Sequence, residues 1–195
     1  MSPEDGVKAV MLARCTICKH LGMDAEDVAV TGSFEEMCGA FVTLKRHPTG
    51  MLRGCVGYPL PYMTMRESIV QSAIGACHDD RFPPLRPKDI QECTVEVTIL
   101  TSPEEILHTS PEDLQSKIEI GRDGLMMELM GHRGLLLPQV PVEQGWDVTE
   151  YLQGISLKTC GMKDAWMRGE VSMKRFHGTS FVEDSPNGSI GAGHI

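Results

Sequence analysis

Residues 40–57, AFVTLKRHPTGMLRGCVG, constrain the fold more than any other stretch. The first half alternates, with Val42 and Leu44 facing opposite Phe41, Thr43 and Lys45, as a half-buried strand does. His47-Pro48-Thr49-Gly50 is turn chemistry. Met51–Gly57 then runs back, so the segment reads as an antiparallel β-hairpin. The return strand is unusual because two glycines bracket one cysteine. Glycine weakens a strand interior, having no side chain to pack and the most backbone freedom to lose. Either another group approaches the backbone there, or Cys55 has a chemical role.

Strict alternation puts Arg53 and Cys55 on one face, with Cβ atoms roughly 7 Å apart. Leu52 and Val56 on the other face suit a core. A neighbouring guanidinium favours a thiolate, and flanking glycines leave room for a ligand. A nucleophile also needs a base and an orienting group. His78, Asp79, Asp80 and Arg81, at the end of the following helix, are candidates. The opposing reading is equally physical. Free cysteine commonly packs as a small hydrophobe, and Arg53 can simply pair with Asp79 or Asp80.

The remaining chain interleaves helices and strands. Ser2, Pro3 and Asp5 open a helix that Gly22 stops, with Val7, Val10, Met11, Ile17, Cys18 and Leu21 as its apolar stripe. Thr64 and Glu67 form a capping box for a helix to about Cys77, stopped by Pro83 and Pro84. Thr94–Leu100 alternates as a strand. Short acidic helices are expected near Pro103–Ile106 and Pro111–Gln115. Glycine-bounded strands are expected around Lys117–Ile120, Leu125–Met130 and Gly134–Leu137. A helix over Thr149–Thr159 and a closing strand at Val171–Phe176 follow. The pattern predicts an α+β protein with a mostly antiparallel sheet and flanking helices. Residues 1–183 read as one domain, and 184–195 as a loose tail.

Composition narrows the function classes. A net charge of −9 opposes wholesale nucleic-acid binding, which needs a basic footprint. With 5% aromatics, binding by base stacking is not favoured either. Lys45–Lys88 is locally basic at +4, consistent with a mixed surface or a site for an anionic ligand. No apolar run approaches the ~20 residues of a membrane span. No basic, then apolar, leader is visible, so a cytoplasmic location is expected, with the odd set of seven cysteines reduced. Cys15-x-x-Cys18 lacks the second ligand pair of a zinc site and falls mid-helix, which favours packing. Dinucleotide, P-loop, zinc-protease and serine-hydrolase motifs are missing, so no cofactor or metal is expected.

GAFVTLKRHPTGMLRGCVG closely resembles the signature of the AMMECR family, a strand pair ending in LRGC-I-G. The resemblance continues in ACHDDRFPPL, CTVEVTILTSPEEI, RGLLLPQVPVEQGWD and LKTCGMKDAW, from about Val7 to Phe181. Val56 stands where the family more often has isoleucine, a conservative change. The resemblance implies a larger and a smaller lobe with a cleft between them. It implies a site drawn from Arg53, Gly54, Cys55 and Gly57, from Asp80, Arg81 and Phe82, and from Gln139 and Lys158. His78 lies outside the signature, so Arg53, Asp80 or Lys158 is the better companion for Cys55. The family keeps company with Memo-like and radical-SAM proteins, which implies such a protein partner and a shared pathway. Three functions follow as expectations. The first is a small-molecule or modified-peptide site at Cys55, acting through a thiolate if it is an enzyme. The second is a non-catalytic interaction module or adaptor. The third is a nucleic-acid-associated factor.

Overall fold

The computed structural model describes residues 1–193. The hairpin forms from β1 (Gly39–Arg46) and β2 (Met51–Tyr58), antiparallel and paired from Ala40↔Tyr58 to Arg46↔Met51 with a register shift between Leu44 and Lys45. On its other side β1 pairs antiparallel with β3 (Cys93–Leu100), Val42 opposite Val97. Strands β8 (Gly178–Glu183) and β9 (Ile190–Ala192) complete a five-stranded sheet of order β2-β1-β3-β8-β9. The β2 strand is therefore an edge.

Two helices supply the core of this sheet. Both α1 (Pro3–His20) and α2 (Met65–Ala76) start at the expected capping boxes, Ser2 with Asp5 and Thr64 with Glu67. Each box satisfies amide donors that the first helical turn leaves without partners. Val10 and Ile17 of α1 are buried with Ile69 and Ala73 of α2, Val42 and Leu44 of β1, and Val95 of β3. The α1 stripe is shifted from its sequence reading: Met11 is 47% exposed, while the small residues Ala9 and Ala13 are buried. Arg14 of α1 forms an ion pair with the buried Glu183 of β8, and Glu183 also accepts the Val95 N–H at 2.9 Å.

The chain forms two units. The first comprises Met1–Ser102 and the return segment from Thr179, and the second comprises Pro103–Gly178. The second unit is thus inserted between β3 and β8, which are neighbours in the first sheet. Its own sheet has the order β4-β7-β5-β6, from β4 (Glu104–Glu105), β5 (Gly124–Leu129), β6 (His132–Leu136) and β7 (Ser172–Phe176). The pairs β4–β7, β5–β6 and β5–β7 are antiparallel. Helix α6 (Val148–Cys160) packs on this sheet, burying Tyr151, Leu152 and Ile155 with Leu125, Met127 and Trp166. The Tyr151 hydroxyl donates toward the carbonyls of Asp123 and Leu136, each at 3.1 Å.

Four expectations are corrected. The acidic stretch at Pro103–Ile106 is strand, because Glu104 and Glu105 lie opposite Arg175 and Lys174 of β7, so opposite charges face each other across the ladder. Residues 117–120 are not a strand; Glu119 and Asp123 bind each other's backbone in a tight turn. Val171–Phe176 does not close the chain, since β8 and β9 follow. The segment from Asp184 carries β9, which pairs with β8 from Phe181↔Ala192 to Glu183↔Ile190. His194 and Ile195 of that expected tail lie outside the described residues. The short helices α3 (Pro87–Ile90), α4 (Pro111–Ser116) and α5 (Gln139–Gln144) complete the fold. Of these only α4 was legible beforehand.

Candidate functional site

The LRGCVG segment occupies β2, at the sheet edge. Pairing with β1 runs through Leu44↔Gly54 and then shifts to Lys45↔Leu52, leaving Arg53 as the extra residue of a β-bulge. A bulge breaks alternation and re-aims a side chain. Arg53 is accordingly 4% exposed. Its Nη2 donates to the Pro83 carbonyl at 2.9 Å and lies 3.5 Å from Asp89 Oδ2. The expected alternation of Arg53 with Cys55 therefore does not hold through this bend, and Arg53 pairs with neither Asp79 nor Asp80. Leu52, expected in the core, is 37% exposed for the same reason.

Both glycines of the motif are required by close approach. A β-carbon at Gly54 would collide with the Ala76 carbonyl oxygen at the end of α2. One at Gly57 would collide with the Phe41 ring and sit 2.6 Å from the Ala40 oxygen. Gly75 of α2 does the same for Val56, whose Cγ1 would be 2.6 Å from an added carbon. Helix α2 thus lies directly against the return strand, and no larger residue fits between them.

An edge strand presents backbone groups to solvent or to another strand. At Cys55 these groups are occupied by side chains. The Cys55 N–H donates to Asp79 Oδ2 at 2.8 Å, and its carbonyl accepts from Arg81 Nη2 at 3.2 Å. Asp79 and Arg81 are themselves joined, Nη2 to Oδ2 at 2.7 Å and Nε to Oδ1 at 2.9 Å. Together they take the place of a neighbouring strand for one residue. Asp79 is 8% exposed. The Arg81 guanidinium, aided by the Cys55 and Arg81 amides, holds its carboxyl far below the usual carboxylate range despite burial. Two guanidinium groups lie over the Phe82 ring, Arg53 at 5.9 Å and Arg81 at 5.8 Å from its centroid.

The thiol of Cys55 is half-buried, and the Thr43 hydroxyl donates to its sulfur at 3.2 Å from the cross-strand position. His78 is engaged elsewhere, its Nε2 lying 2.7 Å from His20 Nε2. Arg53, Gly54, Cys55, Gly57 and Arg81 therefore belong to one cluster on the first unit. Asp80 is exposed, and its neighbour Asp79 is the carboxylate of the cluster. Gln139 and Lys158 belong to the second unit. Gln139 opens α5 with its Oε1 buried and without a hydrogen-bond partner. Lys158 is exposed in the last turn of α6.

Sequence reasoning missed Asp89 and Thr43 as members of the cluster. Thr43 was not accessible from the turn, which by itself sets Thr43 opposite Gly54; the bulge at Arg53 brings it opposite Cys55. Asp89 was not accessible either, because nothing local ties it to Arg53. The basic segment proves to be largely paired. Lys45 binds Glu96, Arg66 binds Glu35 and Arg86 binds Asp89. Of Cys15-x-x-Cys18, Cys15 is buried with its thiol directed to the Glu26 carbonyl at 3.0 Å, and Cys18 is half-buried on the same helix. No helix among the described residues is long and apolar enough to cross a membrane.

Residues 10–181 of the chain match the model of the AMMECR1 family. A Methanocaldococcus jannaschii protein is 43% identical over 189 residues, covering 96% of this chain and 94% of that protein. A Thermofilum pendens protein is 39% identical over 206 residues, covering 97% and 95%. The crystal structure of an uncharacterised Pyrococcus horikoshii protein superposes with a TM-score of 0.85 at 37% identity, over 100% of this chain and 99% of that one. By sequence over most of its length and by fold over all of it, this chain belongs to the AMMECR1 family.

Proposed function

We propose that the first unit carries a small-molecule or modified-peptide site centred on the Cys55 thiol. The observation that carries this reading is a contrast around the LRGCVG segment. The charged and glycine positions around Cys55 are committed to the fold: Arg53 to Pro83 and Asp89, Gly54 to α2, and Asp79 with Arg81 to the strand edge. The Cys55 sulfur is half-buried, with the Thr43 hydroxyl as its hydrogen-bond partner among the described residues. A thiol held on a braced strand is pre-organised to meet a ligand. As a thiolate it can add to an electrophilic carbonyl carbon: its proton leaves to solvent, the carbon–sulfur bond forms, and the carbonyl π pair moves to oxygen, which takes a proton from solvent. An enzyme acting in a pathway with Memo-like and radical-SAM proteins is compatible with this placement.

The test is the alkylation rate of each cysteine in the folded protein as a function of pH, read by peptide mass spectrometry. Cys55 is expected to react before the buried Cys38, Cys77 and Cys93 and well below the unfolding transition. Modification of Cys55 only on unfolding would overturn the reading.

The second reading is a non-catalytic module for a Memo-like or radical-SAM partner. It is favoured by the same bracing, because a motif this committed to the fold needs no chemistry to explain it. It expects complex formation that Cys55→Ser leaves intact. The nucleic-acid reading has less support, since most cations of the basic segment are ion-paired.

A further inference from the structure

The second unit contains a cavity of about 380 Å³, within the range of small-molecule sites. None of its lining residues belongs to the Cys55 site. Its apolar lining includes Ile106, Trp166 and Met173. Trp166 is 5% exposed, and its indole Nε1 is buried without a hydrogen-bond partner. A buried donor left unsatisfied is uncommon in folded proteins and calls for a partner. Leu107, also on the lining, is 77% exposed, so apolar surface remains uncovered beside the cavity.

The polar lining has a definite character. Arg168 is exposed, and its Nη2 is directed at the Met162 sulfur at 3.5 Å; among the described residues no carboxylate pairs with it. His108 Nδ1 is 2.8 Å from the Ile106 carbonyl, which places the ring proton on Nδ1 and leaves Nε2 as an acceptor in the neutral ring. Glu105 adds one negative charge to the lining. One unpaired cation, one anion and an apolar wall favour a ligand of low net charge with an apolar body. Glu105 lies opposite Lys174 of β7, so Arg168 is the lining's one cation with no carboxylate partner among the described residues, and a singly charged anion matches it.

We infer that this cavity binds a small amphipathic monocarboxylate. Its apolar body packs on Ile106, Met173 and the Trp166 ring, and its carboxylate is held by Arg168. Guanidinium is the side chain best matched to a carboxylate, through paired N–H donors.

The experiment is a titration of the full chain followed by the indole N–H resonances of ¹⁵N-labelled protein. Trp146 and Trp166 give two such signals, assigned with a Trp146→Phe variant. Phenylacetate, the probe, is expected to shift the Trp166 resonance saturably and to leave Trp146 in place. Phenethylamine, with the same ring and the opposite charge, should give no saturable shift. Phenyl phosphate should bind more weakly than phenylacetate. Arg168→Gln, at an exposed position, should weaken phenylacetate binding by about tenfold or more. The inference is overturned if phenylacetate gives no saturable shift at Trp166. Equal binding of phenethylamine, tighter binding of phenyl phosphate, or unchanged affinity in Arg168→Gln would overturn it too.

Discussion

Asp79 in the first unit and Asp123 in the second are both buried and joined to an arginine close in sequence, and the two solve different problems. Asp79 accepts the Cys55 amide and three donors of Arg81, and so closes an exposed strand edge. Asp123 is fully buried and accepts from Glu119 N, from Arg122 and from His177 Nε2 at 2.9 Å, and so fastens a turn to the start of β5. Both carboxyls are held below the usual carboxylate range. At Asp79 the strongest influence is the Arg81 hydrogen bond, which lowers the pKa. At Asp123 the strongest is burial, which opposes ionisation, and Arg122, the Glu119 amide and His177 together outweigh it. The comparison teaches that burial alone does not say what a carboxylate is for. The donors it accepts from do: Asp79 guards a backbone next to a thiol, and Asp123 organises a loop.

The sharpest way to break this comparison is to remove each carboxylate. Asp79→Ala and Asp123→Ala are each expected to cost roughly 2–4 kcal/mol, because amide and guanidinium donors lose a buried acceptor. Denaturant unfolding measures the loss. Hydrogen exchange distinguishes the roles: Asp79→Ala should speed exchange at the Cys55 amide far more than Asp123→Ala does. Equal effects would show that edge closure is not local to Asp79.

Gly54→Ala comes next, at roughly 1–3 kcal/mol, because the new methyl meets the Ala76 backbone oxygen, which cannot swing aside. A stable Gly54→Ala protein with unchanged melting would mean that α2 is not held against the edge as described.

Acid titration separates the two aspartates further. A carboxyl with a depressed folded-state pKa contributes stability that is fully present above its unfolded value, about 3.9, and is lost as pH falls through the folded value. Stability should therefore fall below about pH 4 in the parent protein. Asp79→Asn should flatten that acid limb more than Asp123→Asn, since burial offsets part of the depression at Asp123. The reverse order would reassign the stronger pair.

The smallest expected effect is that of Cys55→Ser. A half-buried thiol replaced by a near-isosteric hydroxyl facing Thr43 should change stability by less than about 1 kcal/mol. A larger loss would return Cys55 to the role of a packing residue and remove the reason to seek its ligand.

What could be read beforehand followed from short-range physics. The capping boxes at Ser2 and Thr64, the hairpin around His47–Gly50 and the alternation of β3 depend on residues within a few positions of each other. The need for glycine on either side of Cys55 was also legible, as a demand for close approach. The groups that approach, the Ala76 carbonyl and the Phe41 ring, were not. Nor was the choice between Asp79 and Asp80, since adjacent aspartates at a helix end are locally equivalent and only the position of β2 makes one of them buried.

The chain by itself determined its three long helices, the caps of α1 and α2, its hairpin, its α+β class and its family. Tertiary structure alone decided the bulge at Arg53, the strand character of Glu104–Glu105 and of Ile190–Ala192, and the partners of Arg53 and Asp79. Most of these depend on groups finding partners tens of residues away, Arg53 at Pro83 and Asp89, Asp79 at Cys55 and β4 at β7, while β9 pairs back onto β8 across a turn. Such groups must be satisfied when buried, but which partner satisfies them is set by packing, and local sequence does not encode it.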